Sequence, residues 1–125
     1  MIKSFIISAL LALFLTGCAH APILGDTVKS EKLSDGIFTG EAKYSFDKAV
    51  VEVTIAGGKI TKVKILKIRG TKSKKEVSKE IPKRIVDEQS TYVDGISGAT
   101  TLSRTVMNAA HFAVQKSETQ KTSSE

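Results

Sequence analysis

The sequence predicts an α+β domain: a small antiparallel β-meander covered by a Pro-interrupted helix and by a C-terminal amphipathic helix. Three observations predict it. Apolar and polar residues alternate in three successive runs between Phe38 and Ile68, the period of half-buried strands. Gly57-Gly58 stands between the second and third runs, where a tight hairpin needs φ > 0. Downstream the apolar residues recur at helical spacing. A sheet with one apolar face needs a covering layer, and the helices can supply it.

The chain has 125 residues, enough for one domain and too few for a two-domain nucleotide-binding enzyme. Residues 1–17 read as a lipoprotein signal peptide. Lys3 gives a charged start, and Phe5 to Leu15 form an apolar run too short to span a bilayer. The run closes on Leu15-Thr16-Gly17-Cys18, which resembles the bacterial lipobox. The single cysteine sits at the one position that lipidation needs, and a lone cysteine cannot form an intramolecular disulfide. The alternative is an ordinary secretory signal with an incidental cysteine. Cleavage before Cys18 and acylation of its sulfur would anchor an exported protein to membrane lipid on the periplasmic or cell-surface side of the envelope. Residues 18–34, with Ala21-Pro22 and no clear periodicity, are expected to be a flexible tether.

The folded domain is expected over residues 35–116. Phe38, Gly40, Ala42, Tyr44 and Phe46 alternate along a first strand, and Asp47-Lys48 can turn the chain. Val51, Val53 and Ile55 line one side of a second strand. Ile60 to Ile68 form a third, with Val63 and Ile65 on one face and Lys62 and Lys64 on the other. Ser73-Lys74-Lys75-Glu76 matches a capping box, followed by Val77, Ile81 and Ile85 at four-residue spacing. Pro82 should kink or divide that helix, because it lacks an N–H. The last helix is expected from about Ala99 to Lys116, burying Leu102, Val106, Ala109, Ala110 and Ala113, with Arg104, Asn108, His111 and Gln115 on another face. Residues 117–125 read as a disordered polar tail.

Chemistry concentrates at Asp94-Gly95-Ile96-Ser97-Gly98-Ala99-Thr100, which ends a loop and opens the last helix. Ser97 is a suitable N-cap, Gly98 and Ala99 let a ligand approach the backbone, and Thr100 falls in the first helical turn. Free N–H groups and the positive dipole end favour a phosphate there. Such a run also serves as a plain helix cap.

Asp-x-x-Ser-Gly-Ala-Thr followed by Ser103 and an amphipathic helix resembles the flavinylation motif of the FMN-binding domain family. That family includes flavin subunits of the sodium-pumping quinone reductase and of the Rnf complex, and many small extracytoplasmic lipoproteins. The resemblance begins at Asp35-Gly36-Ile37-Phe38-Thr39-Gly40-Glu41-Ala42 and runs through Val51-Glu52-Val53-Thr54-Ile55 and Gly58-Lys59-Ile60. It continues in Ile81-Pro82-Lys83-Arg84-Ile85-Val86 and Gln89-Ser90. It implies that Thr100 is esterified to the phosphate of FMN by a periplasmic, magnesium-dependent flavin transferase acting on FAD. It also implies that Ser97, Gly98, Ala99 and Asp94 bind the cofactor together with Thr100, and that Asp94 helps to hold metal during transfer only. The sequence departs from many members at Tyr44-Ser45-Phe46-Asp47 and at Gly70-Thr71-Lys72-Ser73, the second of which often lies near the flavin ring.

The implied function is a membrane-anchored electron carrier with covalent FMN, exchanging electrons with a donor and an acceptor that the sequence does not identify. Two other readings stand beside it. One is an unflavinylated lipoprotein acting as an adaptor through its basic face, the other a noncovalent FMN-dependent reductase. The net charge is +6, and cations crowd between Lys59 and Arg84, opposed there only by Glu76 and Glu80. They read as a solvated face, as a steering surface for an acidic partner or anionic lipid, or as charges that stabilise FMN. No basic–aromatic pattern points to nucleic acid. His20 and His111 are isolated, and no spacing resembles a resident metal site. Tyr92 could flank a flavin ring or simply cover the core edge.

Overall fold

The computed structural model describes residues 21–70 and 73–124. The signal peptide and Cys18 lie outside the described residues, as do Thr71 and Lys72. Three strands, β1 (Gly36–Tyr44), β2 (Asp47–Ala56) and β3 (Lys59–Arg69), form one antiparallel sheet in the order β1-β2-β3. Two helices, α1 (Lys74–Glu88) and α2 (Thr100–Ser124), complete the α+β fold. α2 lies over β1 and β2, and α1 over β3, so both cover the same apolar face.

The first hairpin turns at Ser45-Phe46, with Ser45 at φ 55. Asp47 and Lys48, expected in the turn, open β2 instead. The register explains the difference. It sets Ala42 opposite Ala49, Gly40 opposite Val51 and Phe38 opposite Val53, so the apolar members of both strands share the inner face. The second hairpin turns at Gly57-Gly58 as expected, with φ 62 and 72.

β3 carries two register shifts, one opposite Val50/Val51 and one opposite Thr54/Ile55. Leu66 and Thr61 are the unpaired residues. Each bulge turns the chain over by one residue. That is how Ile60, Val63, Ile65 and Ile68, unevenly spaced in sequence, all reach the core side.

In α1 the expected capping box does not form. Ser73 takes a left-handed conformation (φ 55, ψ 27) and its hydroxyl makes no cap bond. Nor does Pro82 divide the helix. It lies buried inside one continuous stretch of 15 residues. Val77, Ile81 and Ile85 are fully buried, and that apolar packing outweighs the hydrogen bond that a proline cannot donate. Past the helix end, Gln89 acts as a substitute strand partner for Ile60. Its Oε1 accepts from the Ile60 N–H (2.9 Å) and its Nε2 donates to the Ile60 carbonyl (2.8 Å).

α2 runs to Ser124, past the expected end at Lys116. Ser117 is buried where a disordered tail was expected: its hydroxyl donates to the Ser34 carbonyl (2.7 Å) and accepts from the Ser34 N–H (2.8 Å). β1 approaches this helix closely at Gly40, where a Cβ would stand 1.9 Å from the Ala109 carbonyl oxygen.

Residues 21–34, expected to be a tether, lie on the domain. Ala21 and Leu33 are buried, and Thr27 bridges to Ser90. Asn108 donates to the Pro22 carbonyl (2.8 Å) and accepts from the Leu24 N–H (3.2 Å). Hydrogen bonds to distant residues, not apolar periodicity, fix this segment.

Candidate functional site

The loop between the helices enters α2 through a tight turn. The Ala99 N–H donates to the Ile96 carbonyl (2.9 Å), and Gly98, third in the turn, has φ 81. Those features make Ile96-Ser97-Gly98-Ala99 a type II turn, whose third position favours glycine. A Cβ at Gly98 would meet nothing within 4 Å, so the requirement is conformational and the space above the turn is open.

Ser97 does not cap the helix. It is exposed, and its hydroxyl has no hydrogen bond among the described residues. Ala99 precedes the first helical residue, Thr100. The stapling hydroxyl belongs to Ser103, one turn into the helix and fully buried. It accepts from the Ile96 N–H (3.0 Å) and donates to the Ala99 carbonyl (2.8 Å). A second brace comes from α1, where Arg84 Nη1 donates to the carbonyls of Asp94 (2.8 Å) and Gly95 (3.4 Å). The loop is therefore held from both helices.

Within this frame Thr100 is exposed at the first position of α2. The first intrahelical bond of the turn runs from the Ser103 N–H to the Ala99 carbonyl (2.9 Å). The N–H groups of Thr100, Thr101 and Leu102 consequently have no intrahelical acceptor. Thr100, Arg104 and Met107 follow at i, i+4 and i+7, a spacing that shares one helix face. Together with Tyr92, Val93, Asp94, Gly95, Ile96 and Ser97 they line a cavity of about 220 Å³.

The structure thus brings Asp94, Ser97 and Thr100 to one cavity, with Gly98 and Ala99 forming the turn at its edge. The sequence reading passed over Arg104 as a site residue, although its spacing from Thr100 could have flagged it. Arg84 has no local signal as a site residue, because its contacts depend on tertiary placement; Ser103 stands in the motif, but its role in holding the turn was assigned to Ser97. Tyr92 lines the cavity and is 54% exposed. Among the described residues no group of three or more His, Cys, Asp or Glu residues comes together as a metal site.

The donor set suits a phosphate. Free helix N–H groups, an open glycine turn and the Arg104 guanidinium all favour an anion, while the Asp94 carboxylate opposes one. The cavity is smaller than the ~300 Å³ at which ligand-enclosing pockets usually begin. Its volume suits a phosphate-sized anion rather than a whole FMN.

Fold and site together describe a small α+β domain with an anion-holding loop at a helix start. Comparison with known families sharpens this: residues 46–115 match the FMN-binding domain family. The match covers more than half of the chain, and the chain belongs to that family. It is a flavin-binding domain, and its cofactor is FMN. No curated protein matches the chain.

Proposed function

We propose that this protein is a lipid-anchored, extracytoplasmic electron carrier whose FMN is joined through its phosphate to the Thr100 hydroxyl. The observation that carries the reading is the exposed Thr100 hydroxyl at the first position of α2, beside free N–H groups and Arg104. A phosphodiester there keeps one negative charge where the helix dipole favours it. Ser97, Gly98 and Ala99 hold the turn open beneath it. Bound FMN supplies reversible one- and two-electron chemistry.

Asp94 is exposed at the same cavity. In this reading it contributes to a magnesium site only while the transferase is docked, with the remaining ligands coming from the transferase and its nucleotide. The cations of β3 and α1 form an exposed surface suited to steering an acidic redox partner. Cys18 carries the lipid.

The test is covalency. The chain is co-expressed with a flavin transferase, purified and precipitated with acid. A yellow pellet is expected. Flavin left in the supernatant would indicate a noncovalent FMN protein, and a colourless protein an adaptor.

A further inference from the structure

We propose that the face bearing Ile23, Leu24 and Tyr92 rests on the bilayer to which the chain is anchored, so that the Thr100 site is held at the membrane surface. The proposal rests on the lipid-anchored reading above. It adds an orientation, which an anchor alone does not impose.

The first support is how soon the chain joins the fold. Ala21 is 2% exposed, and its carbonyl accepts from Arg104 Nη1 (3.3 Å). Pro22 and Leu24 are then strapped to Asn108. Consecutive Cα atoms are ~3.8 Å apart, so the three steps from Cys18 to Ala21 cover at most roughly 11 Å. Whatever path those residues take, the acylated residue stays within that radius of Arg104's partner.

The second support is the character of the surface around that point. Ile23 is 45% exposed, Leu24 43% and Tyr92 54%. They are three of the six large apolar side chains exposed among the described residues. The two stretches that carry them are joined. The Asp26 N–H donates to Thr91 Oγ1 (3.0 Å), and the Thr91 N–H donates to the Asp26 carbonyl (3.0 Å). Singly exposed apolar residues are ordinary. Exposed apolar side chains on two hydrogen-bonded stretches beside an acyl attachment point are what a bilayer interface accommodates. Tyrosine suits that depth, with an apolar ring and a hydroxyl that stays wet. Asp26 and Asp94 are exposed beside the same stretches, and the cost of desolvating their carboxylates keeps the contact shallow.

Arg104 links this face to the site. The same side chain holds the Ala21 carbonyl and lines the cavity at Thr100. The cavity therefore lies next to the point where the anchored segment joins the domain.

The chain has no tryptophan, so single reporters can be placed cleanly. Tyr92→Trp marks the proposed face, and Ile37→Trp marks the outer face of the sheet, where Ile37 is 66% exposed. Each full-length lipidated protein is reconstituted into phospholipid vesicles with and without bromine on the acyl chains. Flotation reports anchoring, and fluorescence reports orientation. Both variants should float. Tyr92→Trp should lose emission in brominated vesicles and Ile37→Trp should keep it. Adding Ile23→Ser and Leu24→Ser to Tyr92→Trp should restore emission while the protein still floats. Floating protein in which Tyr92→Trp is unquenched, or in which both reporters are quenched alike, overturns the orientation and leaves the anchor intact. An unquenched Tyr92→Trp in a protein that is dimeric on the vesicles gives the face to a second copy and equally overturns it. Protein that does not float overturns the anchor and the orientation together.

Discussion

Replacing Thr100 by Val removes one oxygen and keeps the branched shape. The side chain is exposed, and its hydroxyl has no hydrogen-bond partner among the described residues. A surface change of this kind shifts stability by about 0.5 kcal/mol or less. At about 4–8 °C per kcal/mol for a domain of this size, Tm should move by under about 4 °C. Ser103→Ala is the informative contrast. It deletes a fully buried hydroxyl that serves the Ile96 N–H at 3.0 Å and the Ala99 carbonyl at 2.8 Å. Leaving buried partners unpaired costs about 1–3 kcal/mol, a fall in Tm of about 4 °C or more. The two variants should therefore separate stability from modification. Thr100→Val stays folded and carries no covalent flavin, whereas Ser103→Ala is less stable and remains flavinylated. Thr101→Val should behave like wild type in flavin content. After co-expression with a transferase, the acid pellet is weighed against its visible absorbance, and tryptic peptides are measured by mass spectrometry. The peptide that ends at Arg104 should carry the FMN mass. That mass persisting on this peptide in Thr100→Val would refute the assignment. A Thr100→Val protein that fails to fold would refute the account of the turn.

Four further outcomes are expected. Gly40→Ala should destabilise the domain by about 1–3 kcal/mol or more, because the new methyl meets the Ala109 carbonyl rather than a flexible side chain; a denaturant midpoint like that of wild type would contradict the close approach of β1 to α2. Arg84→Ala should slow flavin incorporation without moving it from Thr100, and Arg84→Lys should restore part of the rate, since Arg84 is a positioning residue that holds two loop carbonyls; equal rates in all three proteins would remove that role. Burial raises the Asp47 carboxyl above its ordinary value, so the folded state keeps its proton to higher pH than the unfolded chain does. Stability then falls as pH rises from the ordinary aspartate range, ~3.9, through the raised value. Asp47→Asn should be stabilising at neutral pH and without effect at about pH 3, and a benefit that persists in acid would exclude this cause. Cys18→Ala should abolish lipid labelling and release the protein from the membrane fraction, and unchanged labelling would end the lipoprotein reading.

How much could be seen beforehand differs from element to element, for physical reasons. β2 and the Gly57-Gly58 turn were legible because strict alternation and paired φ > 0 glycines are local signals. The start of α2 was placed within one residue, since Gly98 and the apolar stripe from Leu102 are both local. The errors arose where a residue's usual local preference did not decide its role. Ser73 and Ser97 have capping side chains but do not cap, and the turn is held by Ser103 from inside the helix. Asp47-Lys48 resembles a turn, yet core register moved the turn to Ser45-Phe46. Residues 21–34 lack periodicity because bonds to distant residues fix them, among them Asn108, 84 and 86 residues away from Leu24 and Pro22. At the site, Asp94, Ser97 and Thr100 could be read from the motif. Arg84 could not, because its role depends on α1 packing beside the loop.

The placement of α2 has a consequence for timing. The helix that comes last in chain order is the one against which β1, β2, Ser34 and the segment at Pro22 and Leu24 all close. The chain emerges N-terminus first, whether from synthesis or from export, so the 25 residues of this helix follow the other described elements. Until they arrive, the sheet has no cover over β1 and β2, and Thr100 is a residue in a loose chain rather than the first residue of a helix. A chain broken off before Ser117 would carry Thr100 in its sequence while lacking the Ser34–Ser117 clasp. In the proposed reading, flavin attachment at Thr100 therefore depends on a packed α2: a chain without that helix carries the threonine but lacks the turn that presents it.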